Sequence, residues 1–231
     1  MTMNTIDSQQ QLACAVEELI RIDPRFRRLH EAHGNPPLRR LPQGLESLLR
    51  IVTDQLISLS AADAIWRRLS SRLSPFSSDS ILRCGEPELR SLGLSGAKAR
   101  TFVAVAEAER SGFLVEAHIS NLDDQSVRHH LMAIPGIGPW TADIYLLSAL
   151  GRTDAWPAGD VALQTAVGDM LGLDQRPNFI MMQQIAEPWR PWRSVAARFL
   201  WVHYRNLKGM PLKNISSSQD RHTIYSRKGG K

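Results

Sequence analysis

Apolar residues at three- and four-residue spacing, in runs repeatedly cut short by glycine or proline, constrain this 231-residue chain more than any other feature. Between positions 9 and 33 the apolar positions Leu12, Val16, Leu19, Ile20 and Phe26 follow a helical period that Pro24 interrupts. The same period returns over 45–58, 61–73, 86–92, 98–111, 123–133, 140–150, 161–171 and 192–207, with Gly93, Gly112 and Gly151 standing at three of the ends. Segment 34–44, with Pro36, Pro37 and Pro42, fits neither helix nor central strand, and 74–80 reads as loop. Alternating runs bounded by hairpin turns are missing, so a sheet-based fold is not expected. The reading is an all-α chain.

Composition narrows the class further. No apolar run approaches the length of a membrane span, and the polar start of the chain does not read as a secretory signal, so a cytoplasmic protein is expected. Cys14 and Cys84 are too few for a four-thiolate metal or iron–sulfur site. His129 and His130 are adjacent, hence on different helix faces, and make a poor chelate. No metal and no cofactor are expected. A net charge of +5 suits a polyanionic partner, although part of it lies in the basic segment 213–231, which reads as a disordered tail.

The most informative stretch is LMAIPGIGPWTADI, beginning at Leu131. It joins two helices through a turn with Gly136 and Gly138, where a backbone without Cβ lets a ligand come close. The turn amides and those of the next helical turn point outward, with the positive end of a helix dipole behind them, which suits a phosphate. Ile134 and Ile137 are expected to turn inward and hold the helices together. About twenty residues on, a Gly/Pro-rich loop ends at Asp160. Taken alone, Asp160 reads as the N-cap of a helix beginning at Val161.

Together these two pieces resemble the helix-hairpin-helix DNA glycosylase superfamily, and within it the 3-methyladenine DNA glycosylase II family. The likeness covers roughly 45–207. IVTDQLISLSAA from Ile51 resembles that family's minor-groove segment, LSGAKA from Leu94 its helix start before the hairpin, and PWRPWRSVA from Pro188 its aromatic C-terminal helix. The resemblance implies a compact form without the prototype's N-terminal β-rich domain. It further implies a two-lobed helical fold with a cleft, within a domain at 9–212: lobe one about 45–152, lobe two about 9–44 plus 153–212.

The resemblance assigns roles. Asp160 is the catalytic residue, either stabilising a sugar cation electrostatically or handling water, and a cap position is compatible with both. Leu56 is the DNA wedge with Gln55 beside it, although Leu56 also continues the apolar face of Leu48, Leu49, Val52 and Leu59 and so suits the core. Gly136, Ile137, Gly138 and Thr141 form the phosphate-binding hairpin, and Lys98 is a further candidate phosphate contact. Trp140 and Trp192 match the family's base-lining aromatics, Trp156 is an additional candidate for the base pocket, and Trp66, Trp189 and Trp201 are read as core.

The residue two after the second hairpin glycine is a Schiff-base lysine in bifunctional relatives and Trp140 here. A monofunctional enzyme that hydrolyses the N-glycosidic bond of alkylated bases in duplex DNA is therefore expected. Deaminated or oxidised purines, or a silent DNA-binding module, are the alternatives. A nucleoid-associated monomer acting on double-stranded DNA is the expected setting, with a monovalent cation at the hairpin carbonyls left open. Two positions depart from the family: Ile144 where the prototype has Tyr, and Asp54 where Gly is usual. Tyr145 is displaced from the missing Tyr by about 100° around the helix. The pair Asp123 and Asp124 reads as a helix start, and Asp143 as a surface or ion-pair residue near the hairpin.

Overall fold

The computed structural model of the protein describes residues 4–209, so the basic segment 213–231 and the last residues of the expected second lobe lie outside it. The described residues form α1 (Gln9–Ile22), α2 (Arg25–His33), α3 (Leu45–Asp54), α4 (Leu59–Arg72), α5 (Ser78–Ser91), α6 (Gly96–Arg110), α7 (Glu116–Asn121), α8 (Asp124–Met132), α9 (Pro139–Ser148), α10 (Val161–Leu171), α11 (Phe179–Ala186) and α12 (Arg193–Leu207). A 3₁₀ turn, Glu187–Trp189, precedes α12. Among these residues the only extended pairing is an isolated bridge between Thr5 and Arg152. The fold is all-α, and no described helix is long and apolar enough to cross a membrane.

Local chemistry sets most boundaries. Ser8, Ser58, Ser77, Ser95, Asp123, Asp160 and Asn178 each turn a side-chain oxygen onto an otherwise unpaired amide of the helix they precede. Helix α3 stops at Asp54, four residues before the end expected from the apolar period, because the backbone leaves the helix at Gln55 and Leu56. Helix α5 begins inside the stretch read as loop: Ser77 and Ser80 form a capping box, and the helix bends at Gly85, whose φ is +69°. Helices α7 and α11 were not anticipated. The first is only six residues long, and the second exposes apolar residues on its first turn, so neither has a clear period.

The helices sort into two packing groups. In one, α6 lies against α3 and α5, and α9 against α3 and α8. In the other, α12 is the centre, touching α1, α2 and α10. Backbone and side-chain bonds tie the groups together. Tyr145 Oη on α9 accepts from Gly44 N at 2.9 Å, and Ile6 N donates to Gly151 O at 2.8 Å. The buried Arg198 of α12 donates to the carbonyls of Leu38 and Leu147. Burial pushes this guanidinium down to about 9, with Arg40 and Arg39 adding repulsion. Carbonyl dipoles, not a carboxylate, are what the structure sets against its charge.

Candidate active site

The hairpin between α8 and α9 uses its two glycines differently. Gly136 has φ +88°, and a Cβ there would stand 1.8 Å from Thr101 Oγ1 of α6, so this glycine is required by the protein's own packing. Gly138 caps α9 at φ −99°, and a Cβ there would meet nothing within 4 Å. Only this second glycine faces open space. Pro139 follows at the first helical position, where its missing amide costs nothing. The first intrahelical bond runs from Ala142 N to Gly138 O, leaving the amides of Trp140 and Thr141 without an acceptor inside the helix.

Two hairpin residues contribute less than expected. Ile137 is buried with Ile134, and its amide is used within the turn on Ile134 O at 3.1 Å. The hydroxyl of Thr141 is buried and accepts from Gln55 Nε2 at 2.7 Å. Thr141 thus presents its backbone amide, not its side chain, at the helix start.

Asp160 sits at the end of a loop that is fastened to the start of α12. Ser194 N donates to Thr153 O at 2.9 Å, and Ser194 Oγ to Ala155 O at 3.0 Å. The buried Arg193 grips Asp154 through both carboxylate oxygens at 2.8 Å, and Arg190 adds a contact at 2.5 Å. From α10, Gln164 Nε2 donates to Ala158 O at 3.0 Å. A loop held at this many points delivers its last residue to a fixed place.

The Asp160 carboxylate receives three hydrogen bonds. Leu163 N donates to Oδ1 at 2.9 Å, as expected of an N-cap. Trp140 Nε1 of α9 donates to Oδ2 at 2.9 Å, and Trp201 Nε1 of α12 to Oδ1 at 3.3 Å. Partners from both packing groups meet here. All three donors are neutral, so they steady the anion without cancelling its charge. Asp160, Trp140 and Trp201 are each only partly buried.

The tryptophan assignments need correction. Trp201, read as core, is the second indole at Asp160. Trp192 precedes it by nine residues, about 13.5 Å along a helix, and packs against the core at the start of α12. Trp156 is 1% exposed, donates to Met182 O at 3.1 Å and meets Trp189 edge-on, which leaves no face for a ligand. The period of α12 places Trp201 on a half-buried stripe that resembles any core position; only the chain's return to Asp160 distinguishes it. Ile144 packs at the core margin, and Tyr145 is buried with its hydroxyl on Gly44. Neither supplies an aromatic wall one turn after Trp140, as the departure at Ile144 implies.

Leu56 lies on the connection between α3 and α4, 98% exposed and at φ +54°. That placement overturns the core alternative. A branched side chain in this backbone region is strained, and the neighbours hold it there. Lys98 Nζ donates to Thr53 O at 2.9 Å and to Gln55 O at 2.7 Å, satisfying carbonyls at the end of α3. Lys98 is therefore engaged in holding this turn and is not a free phosphate contact; burial lowers its pKa, with Asp54 acting against that. Gln55 points to Thr141, so its side chain stitches the turn to the hairpin instead of projecting beside Leu56. Asp54 pairs with Arg50 at 3.1 Å, and Arg50 also reaches Asp63 at 2.5 Å. Burial pushes the Asp54 carboxyl up and Arg50 draws it down. The odd acid at this position belongs to an intramolecular ion pair.

Neither of the two lysines among the described residues bonds to the Asp160 carboxylate: Lys98 is engaged as above, and the Lys208 ammonium lies 5.9 Å from the Tyr204 ring centre.

Comparison with known proteins bears on the whole assembly. A family model described as HhH-GPD superfamily base excision DNA repair protein matches residues 49–191. A Mycobacterium tuberculosis protein named probable bifunctional transcriptional activator/DNA repair enzyme AlkA is 31% identical over 202 residues, covering 81% of this chain. The match spans only 39% of that longer relative. DNA-3-methyladenine glycosylase 1 of Schizosaccharomyces pombe is 29% identical over 78% of this chain and 82% of its own length. Among solved structures, S. pombe 3-methyladenine DNA glycosylase (Mag1) in complex with abasic DNA superposes with a TM-score of 0.74 at 25% identity, over 84% of this chain and 97% of that one. DNA-3-methyladenine glycosidase from Bacillus halodurans gives 0.72 at 26% identity, over 90% and 95%.

Proposed function

Because the chain belongs to the HhH-GPD superfamily of base excision DNA repair proteins, we propose that it is a monofunctional DNA glycosylase that hydrolyses alkylated bases from duplex DNA, with Asp160 as its catalytic residue. The observation that carries this reading is the carboxylate of Asp160 held between two indole N–H groups and a helix amide, with no cationic side chain of the described residues on either oxygen. The names of the relatives, several of them 3-methyladenine DNA glycosylases, support the same substrate class.

The chemistry follows from the site. The nucleotide swings out of the stack, the exposed Leu56 fills the gap, and the amides beyond Gly138 hold a phosphate. The N-glycosidic bond then breaks with both electrons leaving on the base nitrogen. For a base alkylated to a cation, this returns the leaving group to neutrality. The sugar carbon becomes positive, and the Asp160 carboxylate lowers the energy of that cation. Water adds its oxygen to the sugar carbon and gives up a proton to bulk solvent. Both oxygens of Asp160 already accept hydrogen bonds from the protein, which fixes the carboxylate in place as a charge beside the sugar. The indole rings of Trp140 and Trp201 offer π faces at the same place, and these attract a cationic purine more than a neutral one. With Trp140 at the position two after Gly138, and no lysine at the carboxylate among the described residues, a Schiff base to the sugar is not formed.

The test is incubation with methylated duplex DNA and chromatography of the released bases. Methylpurines released by the wild type, with no borohydride-trapped adduct to the abasic product, are the expected result. Release of deaminated or oxidised purines in their place moves the substrate class, and DNA binding without any release contradicts a catalytic role.

A further inference from the structure

The first turn of α11 presents three consecutive large apolar residues to solvent: Phe179, Ile180 and Met181 are 48, 67 and 42% exposed. The inward positions of this helix are Met182 and Ala186 instead. Residues 177–186 include no charged or titratable side chain. The edge of the Phe179 ring lies 4.0 Å from where a Cβ on Gly159 would stand, so the strip begins beside the residue that precedes Asp160. On the other side of Asp160 in sequence, Val161 is exposed as well. Exposed apolar surface of this kind marks a contact surface more often than chance placement.

Resting on the glycosylase reading, we propose that Phe179, Ile180 and Met181, with Val161, form an apolar part of the DNA-binding face, seated on the deoxyribose carbons next to the extruded nucleotide. Position commits the occupant. A duplex that brings a sugar to Asp160 has to cross the residues that flank it, and these are Gly159, Val161 and the α11 strip. The strip has no cation for a phosphate, whereas sugar C–H groups are the apolar surface that a nucleic acid groove offers. The hairpin and the strip then divide the backbone between them: phosphates to the amides beyond Gly138, sugars to α11.

The double variant Phe179→Ser with Ile180→Ser, in the full chain, tests the assignment. Phe179 is about half covered and Ile180 mostly exposed, so a modest drop in melting temperature with the helical fold retained is expected, and Ile180→Ser alone serves as the milder variant. Binding to a duplex with a tetrahydrofuran abasic analogue is measured at several salt concentrations. The expected result is a loss of roughly tenfold in affinity at every salt, with the slope of log K against log salt unchanged because no phosphate contact is removed. Equal affinity of variant and wild type overturns the proposal. So does a wild-type dimer in sedimentation that the double substitution dissociates, since a second copy then covers the strip. Failure of the glycosylase reading looks different: the wild type itself then releases no base from methylated duplex.

Discussion

The indole of Trp140 donates to Oδ2 of Asp160 at 2.9 Å, joining the helix that follows the glycine hairpin to the cap of α10 twenty residues later. That one bond links the part of the protein suited to holding a phosphate with the part suited to meeting a sugar cation. On the opposite oxygen, Trp201 supplies a longer contact at 3.3 Å.

Removing either indole N–H while keeping an aromatic ring is expected to lower base release. Hydrogen bonds to charged groups contribute about 1.5–3 kcal/mol, so Trp140→Phe loses roughly 10- to 100-fold in kcat if the bond is fully used in the transition state. Trp201→Phe loses less, in keeping with its longer contact. Affinity for abasic-analogue DNA is the control, and it is expected to change little in Trp201→Phe. A variant whose kcat is unaltered contradicts a positioning role for that indole.

The hairpin glycines separate stability from binding. Gly136→Ala forces a Cβ onto Thr101 at φ +88°, so a stability loss of about 1–3 kcal/mol or more is expected in thermal melting. Gly138→Ala meets no protein atom. It is expected to melt within about 0.5 kcal/mol of wild type yet bind DNA more weakly, alike on all sequences. Reversed outcomes would place the ligand against the other glycine.

Leu56→Gly is expected to leave stability unchanged or slightly raised, because glycine relieves the positive φ and no packing is lost at 98% exposure. Base release is expected to fall by roughly tenfold or more, as unstacking costs a few kcal/mol and the gap is no longer filled. Unimpaired release from this variant would remove Leu56 from the wedge role.

Asp143 gives a pH signature in stability. Burial pushes its carboxyl up to about 6 against the pull of Arg128, 2.6 Å away. Between pH 4 and 6 the folded chain therefore holds this proton more tightly than the unfolded chain, and the contribution to stability falls as pH rises through that window. Above about pH 6 it is flat. In urea titrations, the stability difference between wild type and Asp143→Asn is expected to fall by up to roughly 3 kcal/mol from pH 4 to pH 6.5. A difference that rises with pH would mean that Arg128 outweighs burial.

Much of this was legible from the residues alone, for identifiable reasons. Helix α10 has the ends that its sequence predicts because a strong cap and a helical period agree, and Gly172 closes it in the left-handed conformation. The hairpin stood out because Pro and Gly cluster there between apolar periods. Leu56 was ambiguous because it keeps the spacing of Val52 while the backbone has already left the helix, a departure held by the distant Lys98. Trp192 and Trp201 share one helix, and choosing between them needs the path of the chain back to Asp160. Lys98 and Gln55 read as outward-facing because their partners, carbonyls of α3 and the Thr141 hydroxyl, are remote in sequence.

The most direct measurement is the single-turnover rate of base release from a duplex carrying one N-alkylpurine, compared between wild type and Asp160→Asn, with DNA affinity measured alongside. The amide keeps the size of the side chain and removes its charge. A rate lower by about 10²–10³-fold, with affinity for abasic-analogue DNA retained, is the predicted result. An Asp160→Asn variant that releases the base at the wild-type rate would contradict it.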